Sequence, residues 1–334
     1  MTAWTIKGRR RVFVAGALAM VSLGLSGQGA LAQSAWPEKP ITLVVPFPAG
    51  GGTDTFARPL GAALSQSLGK SIIIDNKGGA GGTLGAAAAA RAAPDGYTFF
   101  LGAVHHAIAP GVYPSLTYDI QKDFSPIGVI AVVPQVVVVN AGRVKAGNLT
   151  ELIAAAKAAP GKMSYASAGA GTSHHLAGEL FKAMTGTDIL HVPYKGAGPA
   201  LQDLIGGQVD MLFDGLGSSA GHITAGRIKP LAVASKARAP GAMGNIPTSA
   251  EAGLAGYEVS TWYALWAPKG TPQPILDRML TATREALAGD QLKAIWLQQG
   301  ATTGAMTPAE MASFVAAEVA RWGKVARDGN IKVE

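Results

Sequence analysis

The chain of 334 residues contains no cysteine. That excludes disulfides, thiolate chemistry, cysteine-based zinc sites and a lipid anchor on cysteine. Charged residues are only 15% of the chain, with no long charged or low-complexity run, which argues against a disordered chain. Beyond the N-terminal region no stretch of 18 uninterrupted apolar residues occurs, so the mature product is expected to be soluble. No basic stripe interleaved with aromatics is found, and no nucleic-acid partner is expected. Hydrophobic residues make up 48%, ample for a packed core and for two domains or one large one.

The first 32 residues read as a secretory signal peptide. Lys7, Arg9, Arg10 and Arg11 form a basic start, Val12 to Leu25 is mostly apolar, and Ala30-Leu31-Ala32 is a small-x-small cleavage site. Cleavage removes four basic residues and no acidic one, lowering the net charge of +7 to +3. The mature chain, starting near Gln33, is expected to be exported and only weakly steers anions over distance.

Short apolar strands alternate with helices along the mature chain, the pattern of an α/β fold with largely parallel sheets. Ile127 to Val139 and Val259 to Ala267 read as strands that cross between two lobes. The boundaries expected are 33–135 plus 262–334 for lobe 1 and 136–261 for lobe 2. In the C-terminal tail Met311, Phe314, Val315, Glu318, Val319, Trp322 and Val325 recur at helical spacing, a core-facing stripe. A cleft between lobes is a standard place for a small ligand.

The first strand, Ile41 to Val45, runs into Pro46, Pro48 and three glycines, Gly50 to Gly52, before a helix opens near Thr53 to Thr55. Proline is best tolerated near a first turn, and Pro59 agrees with that start. Backbone N–H groups and the helix dipole then converge on one spot, an anion seat that needs no basic side chain. Asp54 beside it is expected to bond N–H groups of its own helix rather than the ligand. The second lobe repeats the device: Met163 to Ser167 leads into Ala168 to Ser173, where Thr172 or Ser173 can cap the next helix. Two such ends facing one cleft suit a carboxylate or dicarboxylate.

Other chemistry fits less well. Gly69-Lys70-Ser71 resembles the end of a P-loop, but Leu64 stands where its first glycine belongs. Gly217-Ser218-Ser219-Ala220-Gly221 matches a nucleophile elbow, yet the only later histidine is the near-adjacent His222, so the Ser, acid, His order of that fold cannot form. A small-residue turn is the better reading, and a secreted serine hydrolase is a remote one. The adjacent pairs His105-His106 and His174-His175 diverge and chelate poorly, so no metal is expected. No acid pair stands out for catalysis.

The loop PFPAGGGTD with Arg58 following, DNKGGAGGTLGA (75–86), APDGYTFFLG (93–102) and YDIQKDFSPIG (118–128) come in this order. SAGAGTSHHLAGELF (167–181), HVPYKGAGPALQDLIGGQVD (191–210), IPTSAEAG (246–253) and WAPKGTP (266–272) follow. In this series the chain resembles the periplasmic receptors of tripartite tricarboxylate transporters, the Bug proteins, over essentially the whole mature length. The resemblance implies a two-lobed Venus-flytrap fold of periplasmic-binding-protein type II with two crossing strands. It also implies no enzymatic activity, no cofactor, a monomer, and a membrane transporter as partner. A small organic carboxylate would be held by loops of both lobes, at Phe47, Gly52, Thr53, Asp54 and His106 on one side. Ala170, Thr172, Ser173, His174 and Asp214 would hold it on the other. Presentation of the ligand to a membrane signalling kinase is the alternative use of the same cleft.

Overall fold

The protein is described by a computed structural model covering residues 1–3, 36–304, 306–329 and 331–333. The expected leader, residues 1–32, lies outside the described residues apart from its first three. The chain divides into two compact units, Met1–Glu38 and Lys39–Glu334. Every helix and strand among the described residues belongs to the second.

Strand β1 (Ile41–Val45) leads to helix α1 (Gly52–Leu68), β2 (Ile72–Asn76), α2 (Thr83–Ala90), β3 (Thr98–Ala103) and α3 (His105–Val112). β1 pairs in parallel with β2 and with β3, as βαβ connections require. α1 starts at Gly52 and continues through Pro59. Proline here is well past the first turn and costs the helix one N–H donor without ending it. His105 and His106 open a helix rather than sitting in a loop, because the Val104 carbonyl accepts from both Ala107 N–H and Ile108 N–H.

The 16-residue β4 (Phe124–Val139) comes next. α4 (Leu149–Ala158), β5 (Ser164–Ser167), α5 (Ser173–Thr185), β6 (Leu190–Pro193), α6 (Ala197–Ile205), β7 (Met211–Gly215), α7 (Leu216–Thr224) and β8 (Lys229–Val233) follow it. β5 pairs in parallel with β6 and β7. The chain then returns through β9 (Ser260–Pro268) to α8 (Gln273–Ala288), α9 (Asp290–Gln298) and α10 (Pro308–Asp328).

The strand order is β2-β1-β3-β9-β4-β7-β5-β6, with β8 also on β4. The sheet is mixed rather than largely parallel, because β4 and β9 run antiparallel to each other and to their neighbours. β4 joins the two lobes. Its residues Phe124 to Pro134 pair with β9, and Gln135 to Val139 pair with β7 and β8. The change of partner falls at Pro134, which has no N–H to give a ladder. Gln135 N–H then donates to Val259 O at 2.8 Å, and Val259 N–H to Ala234 O at 2.9 Å. The second crossing therefore lies beside the first.

The C-terminal helices pack back on the first lobe, α8 against α1 and α10 against α3. α10 is started by a Thr307–Glu310 capping box with Pro308 behind the cap. Met311, Val315 and Trp322 of the expected stripe are buried and Phe314 and Val319 partly so, while Val325 at its end is exposed; Glu318 belongs to the stripe for a polar reason. The Glu318 carboxylate accepts from Trp262 Nε1 at 2.9 Å and Trp322 Nε1 at 3.1 Å, while Arg321 reaches its other oxygen. Both indoles are buried, so no water can replace that acceptor. Glu318→Leu leaves two buried N–H groups unsatisfied, at about 1–3 kcal/mol each. Denaturant unfolding is expected to show a loss of about 2–5 kcal/mol, with Glu318→Gln losing less. A loss under about 0.5 kcal/mol for the leucine variant would refute this anchoring role.

Candidate functional site

The two glycine-bearing loops meet backbone to backbone. Gly50 has φ +83° and Gly196 φ +146°, both in the region that favours glycine. A Cβ at Gly198, the second residue of α6, would lie 2.4 Å from the Ala49 carbonyl oxygen. One at Gly196 would lie 2.8 Å from Pro48 Cδ. Only glycine lets these loops close.

Behind this contact lies a cavity of about 10 Å³, room for one water. Phe47, Gly51, Gly52 and Thr53 line it from the first lobe, with His105 at the start of α3 and Tyr263 from β9. Ala168, His174 and Ala197 close it from the second lobe. A larger ligand enters only when the walls part. Gly52 and Thr53 open α1, where N–H groups have no intrahelical acceptor, and no side chain caps that end. Tyr263 covers Gly52 so closely that a Cβ there would fall 2.1 Å from its hydroxyl.

Among the residues expected from the sequence, Phe47, Gly52, Thr53 and His174 thus line the cavity. Ser173 and Asp214 sit directly behind it. Ser173 N–H donates to His105 Nδ1 at 3.1 Å, and its hydroxyl accepts from Gln135 Nε2 at 3.0 Å. Asp214 is buried, with Oδ2 accepting from the Ser218 and Ser219 hydroxyls at 2.7 and 2.6 Å. Its Oδ1 is 3.6 Å from His174 Nε2, too far for a hydrogen bond. Asp214 Oδ1 and His174 Nδ1 are buried without partners.

The other expected residues hold the loops. Asp54 accepts from Gly50 N–H at 3.0 Å, Asn76 Nδ2 at 3.0 Å and Arg58 at 2.8 and 2.9 Å. It therefore braces the loop before α1 and does not cap its own helix. Burial pushes the Asp54 carboxyl up, but the bonds from Arg58, Gly50 and Asn76 outweigh it and hold it below the usual value. Thr172 is the N-cap residue of α5, yet its hydroxyl turns back to Gly169 O at 2.7 Å. Ala170 gives its carbonyl to the Tyr113 hydroxyl at 2.7 Å and does not line the cavity. His106 also lies off the cavity wall. It packs edge-on against Phe100 at 4.9 Å, with Nδ1 3.1 Å from Ala103 N. Its neighbour His105 faces the cleft instead, since successive side chains on a helix point about 100° apart.

The site is poor in charge. Burial drives the imidazoles of His106 and His174 down to about 4. Burial, then His174 and His106, lowers His105 well below its ordinary value. Burial raises Asp214 to about 6 against the bonds from Ser219, Ser218 and Gly215. Ser219, Asp214 and His174 do cluster, but the carboxylate stands between serine and histidine. A hydrolase needs the histidine in that place to take the serine proton. The arrangement can bind; it has no base on Ser219.

The profile of the tripartite tricarboxylate transporter family receptor matches residues 56–331. Protein BugT of Bordetella pertussis is 38% identical over 301 residues, covering 90% of this chain and 92% of BugT. An R. palustris protein solved with adipate is 40% identical with a TM-score of 0.85, covering 89% of this chain and all of that one. MatC from Rhodopseudomonas palustris with bound malate is 34% identical with a TM-score of 0.81, over 87% and 99% of the two chains.

Two outcomes follow from the geometry. Gly198→Ala suits a helix better by about 1 kcal/mol, but its methyl forces α6 and the Ala49 loop apart. Hydrogen exchange at the Ser173 amide, bonded across the lobes to His105, is expected to quicken at least about tenfold. Unchanged protection there would show that closure does not depend on this approach. The second outcome concerns acid. His105, His106 and His174 have lowered values, so the stability they lend is present above about pH 6.5 and lost as pH falls. Asp214, raised, works the other way between pH 3.8 and about 6. The lowered histidines, with His175 and His191 among them, outnumber it, so stability should fall as pH drops from 7 to 5. A thermal midpoint that stays flat from pH 7 to pH 5 would contradict this.

Proposed function

The chain belongs to the tripartite tricarboxylate transporter receptor family, a family of periplasmic solute-binding receptors and not of enzymes, and on that premise we propose that it captures a small organic carboxylate and hands it to a membrane transporter. The observation that carries the reading is the uncapped start of α1, with Gly52 and Thr53 on the wall of a cavity shared by both lobes. Free N–H groups and the helix dipole favour a carboxylate there. Adipate and malate, held by two relatives, mark the class of ligand.

In this reading lobe 1 comprises residues 33–135 and 262–334, and lobe 2 residues 136–261. The ligand carboxylate meets Gly52 and Thr53, with Phe47 and His174 beside it and Ser173 and Asp214 supporting the far wall. Closure of the lobes forms the surface that the transporter reads. Residues 1–32 direct export and are removed, and the mature receptor acts as a monomer. No helix among the described residues is long and apolar enough to cross a membrane, which accords with a freely diffusing carrier.

Thermal unfolding with a panel of aliphatic and aromatic carboxylates, adipate and malate included, tests the reading. A true ligand at about 100 times its Kd adds roughly 2.7 kcal/mol. That is an upward shift of about 5 °C for a chain of this size. If no carboxylate in the panel shifts the midpoint, the proposal fails.

A further inference from the structure

Both lobes bring a helix start to the cleft, but the two starts are not equally available. At α1 Gly52 and Thr53 line the cavity, and no side chain caps that helix start. At α5 the Ser173 N–H is already bonded to His105 Nδ1 at 3.1 Å. His105 belongs to the first lobe and Ser173 to the second, so this bond forms when the walls meet. His105 is backed by Phe47, ring centroids 5.1 Å apart, and faces His174 at 5.6 Å, both edge to face.

The charges point the same way. Among the described residues, none that lines the cavity is Lys or Arg. The Arg58 guanidinium on α1 is engaged with Asp54 and Asn76. The Asp214 carboxyl stands behind His174, with Oδ1 3.6 Å from its ring. A second ligand carboxylate reaching for α5 must displace the bond between Ser173 and His105. It must also place its charge about one imidazole away from Asp214, where low polarity strengthens repulsion. A neutral body also parts the walls on entry, but it brings no second charge toward Asp214 and leaves the Ser173–His105 bond free to re-form beside it. Phe47, His105, His174 and Tyr263 offer it ring faces and edges, with the methyl groups of Ala168 and Ala197 between them.

Resting on the carboxylate-receptor reading, we propose that His105 is a specificity-determining residue. By occupying the α5 helix start, it restricts the cleft to ligands with one carboxylate on a flat apolar body, benzoate-like acids, and disfavours aliphatic dicarboxylates. The carboxylate sits on Gly52 and Thr53, and the ring packs among the four aromatic side chains. His105 accepts from Ser173 through Nδ1, so its Nε2 carries the proton when the ring is neutral.

The test is calorimetric titration of the mature chain with benzoate, adipate and malate separately, at pH 7.5 after exhaustive dialysis. The wild type is expected to bind benzoate at least tenfold more tightly than adipate or malate. His105→Ala frees the Ser173 N–H and should narrow that ratio at least tenfold by gaining dicarboxylate affinity. His105→Asn, which keeps an acceptor for Ser173, should retain most of the preference. Tighter wild-type binding of adipate or malate overturns the inference while leaving the receptor reading intact. So does a ratio that His105→Ala leaves unchanged. If His105→Ala does not fold, the wild-type ratio and His105→Asn still decide the matter. Binding of none of the three by the wild type overturns the inference as well. The wider carboxylate panel then decides whether the receptor reading falls with it.

Discussion

The structure around the cleft depends on one steric constraint, the approach of two backbones at Ala49 and Gly198. With 2.4 Å between the Ala49 carbonyl and the place of a Gly198 Cβ, the loops can touch only while the second lobe presents no side chain there. Several features follow from that contact. It brings the start of α1 under Ala197 and Ala168, reduces the space between the lobes to about the size of one water, and lets His105 reach Ser173. A methyl at this point would disturb all three together. Glycine is usually costly inside a helix; at Gly198 its small size is what the neighbouring loop requires.

Closure also shapes the electrostatics. Carboxylates near the cleft already have partners before any ligand enters: Asp54 is paired with Arg58 and bonded by Asn76, and Asp214 accepts from the Ser218 and Ser219 hydroxyls. What the cavity presents is neutral polar groups, a helix start, a tyrosine hydroxyl and two imidazoles that burial keeps uncharged. A buried ion pair with a ligand would demand desolvation of both partners. Backbone N–H groups oriented by a helix incur less of that cost, because their dipoles are already fixed by the fold. Such a site distinguishes ligands by shape and by charge count more than by attraction to a single cation.

Much of this was legible in the sequence. The prolines and glycines after β1 marked one wall and the Gly/Ala loop after β5 part of the other, but not the Gly196–Gly198 turn that meets Ala49, and the long apolar run through Pro134 marked a strand that changes partners. The mixed sheet was not legible. Strand direction depends on which strands become neighbours, and β9 inserts between β3 and β4 after more than a hundred intervening residues. The sequence reads as a loop at His105 and His106 and does not say which of them faces the cleft, since that depends on the phase of the helix they begin. Tyr263 carried no local signal at all. It sits in an apolar strand like any core residue, and only the pairing of β9 with β3 and β4 places its hydroxyl over Gly52.

The segment Gly217 to Gly221 shows how similar residues support binding or catalysis according to their order in space. Serine, aspartate and histidine stand together here, buried beside the cavity. Catalysis by such a trio needs histidine in the middle, accepting the serine proton while the acid orients its far nitrogen. In this chain Ser218 and Ser219 open α7 directly after β7, so their hydroxyls fall on the Asp214 carboxylate one turn behind. Local chain geometry forces that pairing, and His174, arriving from α5, can approach only the other oxygen. The serine protons then stabilise a buried carboxylate, and among the described residues the histidine Nδ1 is left without a partner. A loss to nucleophilic chemistry is thereby a gain for recognition: an unpartnered imidazole at the wall of a closing cleft can still bond a ligand.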